Sequence, residues 1–189
     1  MFALSLAALV ASIFSIASAL TLPSEYTNFT TANLSSLAAT SKFAIASERF
    51  GTLLNLAFAI TGDGEAVMLD GTVASNPNVQ WILNNVIGSA TQYTIQSAQA
   101  PTFLSFPGAR STTQTTSLYG QTIVDSIGYP TFTIQQVTPG QNGYTITENM
   151  FGGILTAWPP YVEGGTIGMA TFQGSEQLGS AQVWTISAV

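Results

Sequence analysis

Three landmarks recur along this chain at one spacing, and that repetition limits the available folds more than any other feature. An aromatic-x-isoleucine element appears as Phe43-Ala44-Ile45, Tyr93-Thr94-Ile95 and Tyr144-Thr145-Ile146, 50 and 51 residues apart. Ten residues past each aromatic come Leu53-Leu54-Asn55, Phe103-Leu104-Ser105 and Ile154-Leu155-Thr156, with no gap needed. A closing element follows as Trp81-Ile82-Leu83-Asn84-Asn85-Val86, Phe132-Thr133-Ile134-Gln135-Gln136-Val137 and Trp184-Thr185-Ile186-Ser187-Ala188-Val189. Inside these landmarks the period is two: Tyr144 with Ile146, and Trp184 with Ile186, each flank a polar threonine, which predicts half-buried strands. Glycine and proline punctuate the intervals, as in Thr138-Pro139-Gly140-Gln141-Asn142-Gly143, and no long helical periodicity follows the N-terminal apolar stretch. A unit of about 50 residues cannot bury its own apolar face, so three must share one core. Closing the strands on themselves also removes exposed edges. The expectation is an all-β domain over residues 42–189, built from repeats at about 43–92, 93–143 and 144–189, each giving about three extended segments.

The segment before the repeats has a different character. Residues 2–19 are apolar and uncharged and end in Ala17-Ser18-Ala19, the small-residue pattern that a signal peptidase admits. Cleavage is expected after Ala19, which makes the mature protein secreted and leaves no membrane insertion after cleavage. Residues 20–41 are rich in Ser, Thr and Asn, and read as an extended arm. They hold two glycosylation sequons, at Asn28 and Asn33.

Composition then removes whole classes of function. The chain of 189 residues has three basic against nine acidic side chains, a formal net charge of −6, and neither histidine nor cysteine. Lys42, Arg49 and Arg110 cannot make a phosphate-binding patch, so nucleic acid is not an expected partner. Zinc fingers, iron–sulfur clusters, thiol nucleophiles and Ser-His-Asp triads are excluded for want of their residues. Gly62-Asp63-Gly64-Glu65 has too few oxygen ligands for calcium and reads as a tight turn. Asp70 and Asp125 fall in the middle hairpins of the first two repeats, with nothing else to suggest a glycosidase pair. No metal, cofactor or catalysis is expected.

On the threefold period and the closing elements, of which Gln182-Val183-Trp184 is a full Gln-x-Trp and Val79-Gln80-Trp81 a displaced one, the chain resembles a β-trefoil. It is most similar to the ricin-B-like lectins, including small secreted fungal members. The resemblance spans roughly residues 42–189 and implies carbohydrate binding. In that family a carboxylate follows the second strand of each active repeat; here the position holds Asn55, Ser105 and Thr156. No ricin-type galactose residue carries over, and a sugar site in this chain is a rebuilt one.

Subtraction gives the candidate. Trp81 and Trp184 occupy equivalent closing positions with Phe132 as the third, so core packing accounts for them. Trp158 has no counterpart, since Leu56-Ala57 and Phe106-Pro107 stand where Ala157-Trp158 does. It opens the sequence Trp158-Pro159-Pro160-Tyr161-Val162-Glu163, whose prolines stiffen a loop that offers two flat rings. Glu163, or Glu148 and Asn149 from the preceding hairpin, are the hydroxyl acceptors to consider. The competing reading has Trp158 capping the barrel beneath its own loop. The function expected first is secreted, non-catalytic binding of a neutral glycan or glycoprotein by aromatic stacking and hydroxyl hydrogen bonds. A trefoil protease inhibitor acting through Trp158–Gly165 or the Arg110 loop (Ala100–Ser111), or an extracellular effector or structural protein with a protein partner, stands beside it.

Overall fold

The computed structural model describes residues 41–107, 122–163, 165–174 and 179–189. The expected signal peptide, nearly all of the expected arm, both sequon asparagines (Asn28, Asn33) and Arg110 lie outside the described residues. Those described form twelve strands, and each repeat supplies four, one more than the spacing suggested. The first repeat holds β1 (Lys42–Ser47), β2 (Leu53–Leu56), β3 (Val67–Asp70) and β4 (Gln80–Asn85). The second holds β5 (Gln92–Ser97), β6 (Phe103–Ser105), β7 (Ile123–Asp125) and β8 (Phe132–Gln136). The third holds β9 (Tyr144–Glu148), β10 (Ile154–Ala157), β11 (Gly168–Gln173) and β12 (Trp184–Ala188).

The outer strands of the repeats close a ring. β1 pairs with β4, β4 with β5, β5 with β8, β8 with β9, β9 with β12, and β12 returns to β1. Each repeat's two middle strands make a hairpin, β2–β3, β6–β7 and β10–β11, and the three hairpins cap one end of the ring. They meet at Thr122: its N–H donates to Ala170 O, its carbonyl accepts from Val67 N–H, and its hydroxyl lies 2.7 Å from Val67 O and 3.1 Å from Ala170 O. One residue from each repeat thus meets the others at the pseudo-threefold axis.

The core is the repeat written in side chains. Ile45, Ile95 and Ile146 are fully buried, as are Leu54, Leu104 and Leu155, and the closing aromatics Trp81, Phe132 and Trp184. Trp81 Nε1–H donates to Leu54 O and Trp184 Nε1–H to Leu155 O, each at 2.9 Å. Two tryptophans a hundred residues apart therefore perform one job, and the phenylalanine of the second repeat fills the same place without the N–H. Phe43, Tyr93 and Tyr144 line the opposite end of the barrel. Burial pushes the Tyr93 hydroxyl above its ordinary pKa, against a hydrogen bond with Asn85 that lowers it.

One loop is strained. Between β2 and β3, Phe58 (φ 55°) and Ala59 (φ 59°) both sit in the left-handed region, and the Phe58 ring is 83% exposed. Such a backbone costs roughly 1–2 kcal/mol per non-glycine residue, and an exposed ring recovers little of it. Phe58→Gly is expected to raise stability by about 0.5–1 kcal/mol, after the extra chain entropy of glycine is subtracted. A urea melt with a higher midpoint and unchanged slope is the expected result. A lower midpoint would mean that the ring makes stabilising contacts.

Candidate functional site

The β10–β11 hairpin carries Trp158, Tyr161 and Glu163 together beyond the cap. Its two arms stay paired past the strand ends: Trp158 N–H donates to Met169 O at 2.9 Å and Tyr161 N–H to Ile167 O at 3.1 Å. The arms close tightly because residue 168 is glycine; a Cβ there would lie 2.7 Å from Trp158 O. The Trp158 ring is half-buried, and its Nε1–H donates to Thr171 Oγ1 at 2.7 Å, which also accepts from Gln173 Nε2 at 3.0 Å. The indole is thereby fixed in orientation with part of its surface left to solvent, which combines features of both sequence readings. Tyr161, Val162 and Glu163 are exposed at the tip.

Glu148 and Asn149 belong to a different place, the β9–β10 turn. Glu148 is completely buried. Its carboxylate accepts Met150 N–H and Gly153 N–H, both at 2.8 Å, and lies 3.0 Å from Phe151 N by either oxygen. The threefold frame explains it. Ser47 and Ser97 occupy the same position in the other repeats, are equally buried, and accept from Phe50 N–H and Gln99 N–H. Glu148 braces its turn and does not face solvent, contrary to its consideration as a hydroxyl acceptor. Sequence reasoning missed this because the bracing serines are chemically unlike a glutamate. Asn149 is exposed, and its side chain ties the turn to the start of β8 by accepting from Thr133 Oγ1 and donating to Thr131 Oγ1.

The three positions aligned with the lectin carboxylate are all buried and differently satisfied. Thr156 Oγ1 accepts from Gln182 Nε2 at 3.1 Å, so the glutamine of the closing element fills the third repeat's polar position. In the first repeat that glutamine is replaced by buried Val79, and Asn55 instead donates to Asp70 Oδ2 at 3.5 Å. Ser105 Oγ has no hydrogen-bond partner among the described residues. Asp70 and Asp125 are not a pair: each stands opposite the first residue of its own hairpin, Leu53 and Phe103. Gly62–Glu65 docks against β7, with Gly64 N–H donating to Val124 O and Asp63 Oδ1 accepting Ser126 N–H. No group of acidic side chains among the described residues has the arrangement of a metal site.

No protein-family profile matches the sequence, and no curated protein matches it. Solved structures do. A ricin B-like lectin of Macrolepiota procera, determined with lactose, superposes with a TM-score of 0.61 at 17% identity, over 80% of this chain and 97% of that one. The Rhizoctonia solani agglutinin gives 0.62 at 14%, over 82% and 98%. A designed threefold-symmetric protein, ThreeFoil, gives 0.59 at 16%, over 78% and 99%. The fold is the β-trefoil. Within this trefoil the threefold counterparts of Trp158 are Ala57 and Pro107, so the indole belongs to the third repeat alone. Another solved structure, an exo-β-1,3-galactanase of Clostridium thermocellum, is similar over 79% of this chain but only 30% of its own length, with a TM-score of 0.63 at 14% identity.

Proposed function

We propose that this protein is a secreted, non-catalytic carbohydrate-binding protein that holds a neutral glycan against the β10–β11 hairpin. The observation that carries the reading is the hairpin itself: a proline-stiffened loop, paired across its arms, presenting Tyr161 and a fixed, partly exposed Trp158. Pre-organised aromatic faces lose little entropy when a pyranose ring stacks on them. The trefoil supports the reading further, since lectins share it, and the weak net field suits an uncharged ligand. Glu163 at the tip is the acceptor retained for sugar hydroxyls. A single shallow site of this kind gives micromolar to millimolar affinity, so avidity would govern its action.

A glycan array with the mature chain tests the proposal. Wild type is expected to bind neutral glycans, and Trp158→Ala and Tyr161→Ala to weaken that binding at least tenfold with little change in melting temperature for Tyr161→Ala. Absence of neutral-glycan binding, or binding unchanged in both variants, would remove the proposal. Stoichiometric inhibition in a titration against serine and cysteine proteases would favour the inhibitor reading instead.

A further inference from the structure

Strand register places the Trp158 hairpin in one continuous sheet face with the first repeat. Trp158 pairs through its N–H with Met169, Met169 stands directly opposite Met68, and Met68 directly opposite Asn55. Residues directly opposite one another in an antiparallel sheet project from the same face. Side-chain contacts agree: Trp158 meets Thr171, two residues from Met169, and Asn55 meets Asp70, two residues from Met68. Four strands from two repeats therefore carry one row, Trp158–Met169–Met68–Asn55, and the Asp70 carboxylate stands beside it on the same face, two residues along β3 from Met68. Trp158, Met169, Met68 and Asp70 are all half-buried, whereas Asn55 is buried beneath them.

Resting on the proposed glycan reading, we infer that the ligand is an oligosaccharide lying along this row, with the Asp70 carboxylate receiving its far hydroxyls. Asp70 lies two strand steps of about 4.8 Å from Trp158 and two residues further along β3, a separation of roughly 12 Å, which exceeds one pyranose ring and suits two or more. A carboxylate offers two acceptor oxygens to a vicinal diol, and thioethers pack against apolar sugar faces without demanding a fixed geometry. Asn55 is a positioning residue: buried and donating to Asp70 Oδ2, it aims the carboxylate without touching the ligand. The third repeat supplies no such acceptor, because Gln173, standing opposite Ile154 as Asp70 stands opposite Leu53, donates to Thr171 Oγ1 and helps to hold Trp158. Repeat one binds hydroxyls and repeat three stacks. The contact of Thr166 with Gly71, where a Cβ would lie 2.8 Å from the Thr166 side chain, keeps the two repeats together at this edge.

The test measures affinity on a neutral glycan array graded from one to four rings, for wild type, Asp70→Asn and Tyr161→Ala, with thermal melts of all three. The expected result is wild-type affinity rising at least tenfold between one ring and three. Asp70→Asn should lose that gain while keeping single-ring binding and its melting temperature. Affinity independent of ring number, or Asp70→Asn indistinguishable from wild type at three rings while Tyr161→Ala still weakens binding, would overturn the extended row and leave the hairpin site standing. No binding at any length would overturn both. Asn55→Asp, which keeps the side-chain shape and sets a like charge beside Asp70, should also lose the three-ring gain and leave single-ring binding intact.

Discussion

Replacing Trp184 by alanine is expected to destabilise the protein by about 5 kcal/mol, enough to unfold much of it near body temperature. The side chain is fully buried in the shared core, and truncating such an aromatic typically costs about 3–5 kcal/mol. Its Nε1–H is also the partner of Leu155 O, and leaving a buried carbonyl unpaired adds roughly 1–3 kcal/mol. Against a total stability of about 5–15 kcal/mol, that is a large part of the whole. Trp81→Ala should cost nearly the same, because Trp81 donates to Leu54 O in the same way at the same distance. Trp184→Phe, which copies the second repeat's residue, should cost about 1–3 kcal/mol from the lost hydrogen bond and the smaller ring. Thermal and urea melts followed by far-UV circular dichroism measure all three. A difference above about 2 kcal/mol between Trp81→Ala and Trp184→Ala would show that their surroundings are not equivalent.

Glu148→Ser is the second large effect, expected at about 3 kcal/mol. The carboxylate satisfies the N–H groups of Met150, Phe151 and Gly153 from a fully buried position. Charge-assisted bonds of this kind are worth more than neutral ones, and serine is too short to reach all three. The other repeats indicate the remedy. Where Glu148 stands they have Ser47 and Ser97, and where Gly153 stands they have buried Thr52 and Thr102, whose hydroxyls have no hydrogen-bond partner among the described residues. The larger acid is accommodated where the neighbouring residue lacks a side chain. Gly153 is not among the glycines with positive φ, so threonine is conformationally allowed there. Glu148→Ser/Gly153→Thr should therefore recover part of the loss, by about 1 kcal/mol if filling the vacated space outweighs the remaining unpaired N–H groups. Glycan binding should be unchanged in Glu148→Ser under conditions where it remains folded. Weakened binding with an unchanged melt would return Glu148 to the ligand site.

The two predictions come from opposite uses of the same repeat. Where three repeats carry similar residues, as at Ile45, Ile95 and Ile146, the spacing alone identified the core. Apolar side chains in a strand need only the right period to find the interior. Where the repeats differ, the sequence could not say whether the odd residue serves binding or architecture. Trp158 and Glu148 both break the pattern. The structure sends one to a partly exposed hairpin and the other to the inside of a turn.

What the linear sequence determined by itself was therefore the all-β threefold plan, the closing aromatics and the solitary standing of Trp158, because periodicity is a local property that packing merely obeys. The meeting of the hairpins in the cap decided the rest. Pairing β11 with β3 brings the last repeat against the first and sets Met169 opposite Met68. A hydrogen-bond register between strands so distant along the chain leaves no mark in the spacing of either, so the place of Asp70 on the sheet face that carries Trp158 emerged only once the hairpins were brought together.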